Sequence, residues 1–338
     1  MISVGVIGAG HWGPNLIRNF HNGITSRVVC VVDSRPERIK AVSSRFPDVK
    51  MSGDVEAIFG DPNIQAVVIA TPTATHFALC KRALEAGKHV LVEKPIASTL
   101  GDAEALVAQA DAAGLTLMVG HVFLFNPAVQ RVKKMIDSGD LGRVYYVSMV
   151  RTNLGPIRHD VNASWDLASH DISIVDYWLG ARAQAASAVG GAYINPGVED
   201  VVFATLKYPN SVLVNLHASW LNPRKNRDIT VVGDKRMLTF DDMNVQEPIR
   251  VYDKGVTDEK TSSVVDTYAT FRASVRDGDI VIPRVAMGEP LKSECDAFID
   301  CVAQKKKPVA SGLVGANVVR ALEAIQRSLR NGGREETI

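Results

Sequence analysis

Four groups of residues in this 338-residue chain have the types and spacing to do chemistry. The first is Gly8-Ala9-Gly10-His11-Trp12-Gly13, followed twenty residues after Gly13 by Asp33. In such a G-x-G-x-x-G pattern one glycine allows a tight turn, the second lets the backbone approach a pyrophosphate, and the third lets helix pack on strand. The acid holds both hydroxyls of a ribose. The second is Glu93-Lys94-Pro95, where an ammonium at a strand end either pairs with a surface carboxylate or polarises a substrate hydroxyl. The third is Asp166-x-x-x-His170. On a helix the two share a face, and a carboxylate beside an imidazole fixes its tautomer and stabilises its cation, as a base accepting a hydroxyl proton near neutral pH requires. A helix-capping aspartate with a packed histidine is the other reading. The fourth is a pair of cationic, amide-rich segments: Arg151, Asn153, Arg158 and Asn162, and Trp220 with Asn222, Arg224, Lys225 and Arg227. Arginines suit a diphosphate and amides suit hydroxyls or an acetamido group; solvated hairpins are the alternative.

The elements around the first two groups are easily read. Ile2 to Ile7 is a β-branched strand entering the glycine turn, and Pro14 suits the first turn of a helix. A second strand, Arg27 to Val32, ends at Asp33. This carboxylate favours NAD over NADP, whose 2′-phosphate it repels. Ser34 and Arg35 lie beside it, and Arg35 either accepts such a phosphate or only starts the next helix. Gln65–Ala70, His89–Val92 and Leu115–Val119 read as further strands, with helices at 74–86 and 100–113. Alternation of this kind predicts an α/β Rossmann dinucleotide-binding domain with a parallel sheet, assigned to residues 1–122. Thr71, Pro72, His76, Glu93 and Lys94 all fall at strand ends on the edge that carries the glycine loop. His76 either reaches the cofactor or caps its helix.

Beyond Asn126 and Pro127 a helix runs to about Ser138, and the texture then changes to strands over 143–153, 182–192, 201–208, 211–220, 228–232, 236–241 and 249–253. Hairpin-like turns between them predict an α+β domain, residues 123–338, with a mostly antiparallel open sheet. A helix beginning near Ala168 covers one face. The other face suits self-association as a dimer or tetramer. Ser311 to Arg330 reads as a final helix.

Thirty-eight basic residues against 37 acidic ones leave no long block of charge, which excludes nucleic acid and anionic membrane as expected partners and points to a small molecule. Cys30, Cys80, Cys295 and Cys301 lack metal-ligand spacing, so reduced thiols and no structural metal are expected. With no apolar run near membrane-spanning length and no leader pattern, a cytoplasmic location follows.

Several of these motifs in order are similar to the glucose-fructose oxidoreductase and myo-inositol dehydrogenase (Gfo/Idh/MocA) family: the glycine fingerprint, Thr71-Pro72-Thr73-x-x-His76, Glu93-Lys94-Pro95, Gly120 to Pro127, and Trp165-Asp166-Leu167-Ala168-Ser169-His170. The resemblance extends over the whole chain. It implies a nicotinamide cofactor on the first domain and oxidation of a sugar or cyclitol hydroxyl. It carries catalytic roles onto Lys94, Asp166 and His170, substrate contacts onto Asn126 and Trp165, and a cis bond between Lys94 and Pro95. Within the family, the pattern most resembles members acting on nucleotide-linked sugars, UDP-N-acetylglucosamine 3-dehydrogenases in particular. A uronate of that sugar, a free cyclitol or monosaccharide, and a non-catalytic NAD(H) sensor are the alternatives.

Overall fold

The computed structural model describes residues 1–159, 161–256 and 275–338. The chain divides into two compact units, Met1–Asn126 with Gly288–Glu323, and Pro127–Met287 with Ala324–Ile338.

The first unit is built on a sheet of six strands: β1 (Ile2–Ile7), β2 (Ser26–Val32), β3 (Lys50–Ser52), β4 (Ala66–Ile69), β5 (His89–Glu93) and β6 (Leu117–Gly120). All neighbours are parallel and the order is β3-β2-β1-β4-β5-β6. Parallel strands need crossovers that cover both faces, so β4 and β6 are buried at every position, as their unbroken apolar runs require. The order reverses between β1 and β4, and at such a switch point the strands' carboxyl ends open a crevice for a ligand. The crossovers include α1 (Gly13–His21), α2 (Pro36–Ser43), α3 (Glu56–Phe59), α4 (His76–Glu85) and α5 (Leu100–Ala113). The last is capped by Thr99, which accepts the Asp102 N–H at 3.2 Å, and ends at Gly114 with φ 64°.

The second unit begins with α6 (Pro127–Asp137), and its sheet comprises β7 (Val144–Thr152), β8 (Ala185–Gly191), β9 (Val201–Lys207), β10 (Leu213–Ser219), β11 (Asn226–Gly233), β12 (Met237–Asp241), β13 (Ile249–Val256), β14 (Val275–Val281) and β15 (Glu336–Thr337). Their order is β14-β13-β12-β11-β7-β10-β9-β8-β15. Among the described strands of this sheet only β7 and β10 pair in parallel. Alternation along the strands separates two faces. Val147, Met149, Val214, Leu216, Ile229, Val231, Leu238 and Phe240 are buried with α7 (Ser169–Leu179), whose Trp178 meets the Phe240 ring edge-on at 6.2 Å and donates to the Val129 carbonyl at 2.9 Å. On the opposite face, register places Val189, Phe203, His217 and Val150 in one row and Leu213 beside Tyr146 in another.

Two helices from the far end, α8 (Pro290–Gln304) and α9 (Gly312–Arg330), complete the described structure. Strands β14 and β15 were not expected from the sequence. Helix α8 returns to the first unit, where Phe298 packs edge-on against Phe20 of α1 at 6.2 Å. Because Trp178 is 1% exposed and its indole N–H is bonded, Trp178→Ala should lower the unfolding free energy by about 3–5 kcal/mol, measurable as a lower urea midpoint at unchanged slope.

Candidate active site

In the first unit, the chain leaves β1 through a turn that tolerates no side chains. Gly8 has φ 101°, and a Cβ on it would fall 2.5 Å from the Ala70 carbonyl oxygen; one on Gly13 would fall 2.1 Å from the Gly8 oxygen. Gly10 differs, since its Cβ would meet only the Arg35 guanidinium, at 3.5 Å. The turn is pinned by Asp33, 7% exposed, whose carboxylate accepts the Ala9 N–H at 2.7 Å and the Arg35 N–H at 2.9 Å. Burial pushes the Asp33 pKa upward, but these amides and the Arg35 guanidinium, 3.4 Å away, pull it below its ordinary value overall. The carboxylate therefore stays ionised with lone pairs left for ribose hydroxyls. An open approach at Gly10 and the start of α1, which has no side-chain cap, suit a pyrophosphate. His11 and Ser34 are exposed beside this turn. The residues present fit a dinucleotide.

Lys94 follows β5 at its carboxyl end and is partly exposed, and its bond to Pro95 is cis. The Lys94 N–H meets the Glu93 carboxylate at 3.2 Å, and the Trp12 side chain of the glycine turn also donates to that carboxylate. His76 is a brace. It is 1% exposed, with Nδ1 at 2.8 Å from the Pro95 carbonyl and Nε2 at 2.9 Å from that of Thr71. It thus ties the end of β4 to the turn after Lys94, while Pro72 stays exposed. His121, directly after β6, was not singled out in the sequence; burial and the Lys94 charge depress its pKa to about 3.

In the second unit, Asp166 and His170 do not share one regular helix. Ser164–Ala168 is a π-helical turn, and α7 starts only at Ser169. Such turns bond i to i+5 and re-aim side chains. Asp166 accepts from the Trp220 indole at 3.2 Å and lies 3.4 Å from the Arg158 guanidinium. Asn162 starts this turn: its Oδ1 accepts from the Ser164 hydroxyl at 2.8 Å and from the Trp165 N–H at 3.2 Å. Its amide nitrogen donates to Glu199 and Gln326, both at 2.7 Å.

Several expected ligand contacts thus find partners within the protein. Arg151 is 3% exposed, and its Nε and Nη2 lie 2.8 and 2.6 Å from Oδ1 of Asp171, the residue after His170. Arg227 faces Arg151 in register on β11 and holds Asp242 at 2.7 Å. Burial pushes Asp171 upward, opposed by the Arg151 charge. Asn162 is equally committed, and Trp220, 0% exposed, presents no stacking face. The sequence carries arginine and amide signals here without saying which buried carboxylates claim them. Asn153 bonds the Gly155 carbonyl, Asn126 and Trp165 are partly exposed, and Arg224 and Lys225 are exposed.

Residues 2–121 match the oxidoreductase family GFO_IDH_MocA, described as an NAD-binding Rossmann fold, and residues 129–239 match the GFO/IDH/MocA C-terminal domain. The chain is similar to the NAD(+)-dependent scyllo-inositol 2-dehydrogenase of Bacillus subtilis, 26% identical over 97% of this chain and 94% of that one. It is comparably similar to UDP-N-acetylglucosamine 3-dehydrogenase of Acidithiobacillus ferrooxidans, at 27% over 94% of each. A solved structure of the latter superimposes with a TM-score of 0.82, covering 97% of this chain and 99% of that chain at 26% identity.

Two outcomes test the geometry. Asp171→Asn leaves the Arg151 charge buried without its carboxylate and should cost about 3–5 kcal/mol of stability, whereas Arg151→Met/Asp171→Leu should cost much less, by denaturant unfolding. For His121 the pKa lies at about 3 in the folded chain against 6.5 in the unfolded one, so the unfolded state binds the extra proton between them. Its contribution to stability is complete above 6.5 and is lost as pH falls toward 3. The gap in melting temperature between the wild type and His121→Asn should change across that window and level off above it.

Proposed function

The chain belongs to the Gfo/Idh/MocA oxidoreductase family, and from that premise we infer that it is an NAD-dependent dehydrogenase of a sugar hydroxyl, C3 of UDP-N-acetylglucosamine being the substrate position proposed. The observation that carries this reading is Lys94, placed at the carboxyl end of β5 in the unit that holds the glycine turn and Asp33. That edge is where a parallel sheet presents groups to a bound dinucleotide. In the proposed reaction His170 accepts the hydroxyl proton, Asp166 supplies a negative charge close to it in sequence, and Lys94 donates a hydrogen bond to the reacting oxygen. The cofactor supplies the hydride acceptor at C4 of its nicotinamide ring.

A free cyclitol is the second reading. It is favoured by the similar identity to an inositol dehydrogenase and by the commitment of Arg151 and Asn162 to partners within the protein. Incubating the chain with NAD and each of UDP-N-acetylglucosamine, its uronate and myo-inositol, then following reduced cofactor and product mass, separates them. Inhibition by UDP accompanies only the nucleotide-sugar reading. No product with any of them would overturn both. Lys94→Ala should lower kcat by about 100-fold or more while NAD binding, followed by calorimetry, changes less than about threefold.

We further propose that the chain self-associates through the uncovered sheet face. Phe203 and Leu213 are 46% and 47% exposed there, and Tyr146 stands beside Leu213. Phe203→Asp/Leu213→Asp should shift the light-scattering mass toward the monomer, and an unchanged mass would sink the assignment.

A further inference from the structure

Two buried titratable side chains of the first unit have no part in the reaction above. Glu294 on α8 is 0% exposed, and neither of its carboxyl oxygens has a hydrogen bond to a described group; the same holds for both ring nitrogens of His121, 1% exposed. Both converge on the end of β5. Glu93 and Gly120 are register partners, and the Glu93 carboxyl lies so close over Gly120 that a Cβ there would fall 3.0 Å from Oε2. The turn Val122–Phe125, directly after His121, packs against α8 and so brings Glu294 to the same place. Only Glu93 is partly exposed, and it alone is bonded to Trp12 and to the Lys94 N–H.

We propose that Glu294 is a positioning residue for Lys94 that acts through Glu93: only one of the two carboxyl groups ionises, so a single negative charge stands behind the lysine and receives the Trp12 hydrogen bond. Two carboxylates in one buried place do not both ionise. Burial raises Glu93 to about 7, opposed by the Lys94 charge, and raises Glu294 well above the carboxylate range, with the Glu93 charge adding to the rise. Glu93 therefore ionises first and Glu294 keeps its proton. The surrounding titratable groups leave this pair alone with the charge. His121 is held neutral by burial, and burial likewise keeps Cys295 a thiol. On the surface of α8, Lys292 binds Asp296, and Glu289, just before the helix, binds Arg18 of α1. Without Glu93, Glu294 takes up the charge only above its own, higher transition.

The catalytic consequence rests on the role given to Lys94, but the single ionisation does not, and one measurement isolates it. Trp12 fluorescence of the full chain is followed against pH, with Trp12→Phe as the blank. The wild type should show a transition near 7, Glu93→Gln should keep one displaced to higher pH, and Glu93→Gln/Glu294→Gln should show none. In turnover assays above the Glu93→Gln transition the double variant should have a kcat about tenfold below Glu93→Gln, with KM for NAD little changed. A merely structural Glu294 gives both variants the same pH titration, which would overturn the proposal, as would a wild type without a transition. If the double variant does not fold, the infrared carboxyl band decides. One buried protonated glutamate should persist in the wild type above about pH 8 and disappear in Glu294→Gln. A band absent from the wild type, or unchanged in Glu294→Gln, overturns the pairing. Failure to oxidise any sugar, with these titrations as expected, counts against the substrate assignment alone.

Discussion

The first unit depends on the passage of bare backbone between the ends of β1, β2 and β4. Gly8 and Gly13 lie within 2.5 Å of carbonyl oxygens at the places where a Cβ would sit, so any side chain would force the turn away from the sheet. Asp33 then closes the turn from β2 by taking the Ala9 amide. One carboxylate thereby fixes the loop's conformation and, held below its ordinary pKa, stays ionised.

A second principle governs the placement of the side chains proposed to react: neighbours with no proposed part in the chemistry hold the segments that carry them. His76 joins Thr71 to Pro95 and so fixes the turn after Lys94. In the second unit, the buried Arg151–Asp171 pair locks the residue beside His170 to β7, while Asn162 builds the π-helical turn that aims Asp166 toward Trp220 and Arg158. Pairs of this kind cost desolvation, which their mutual bonds offset only when both partners are present.

Much of this chain was legible in its sequence. The glycine spacing, Asp33, the alternation of strand and helix, and the change to hairpin-linked strands after Pro127 are patterns of near neighbours, and backbone sterics and periodicity act over that range. Glu294 carried a weaker signal, a charge between Leu291, Cys295 and Phe298 on the apolar face of α8, which spacing alone would have exposed.

What tertiary structure decided is which polar groups are left over. Arg151, Asn162 and Trp220 look in sequence like a ligand's contacts, yet Asp171, Glu199, Gln326 and Asp166 claim them, from positions up to 164 residues away. The return of α8 to the first unit and the parallel seating of β10 on β7 likewise join segments far apart in sequence. The sequence by itself determined the dinucleotide turn and the kind of chemistry. Only the folded chain determined each buried charge's partner, because burial and pairing belong to the assembled interior and not to any one segment.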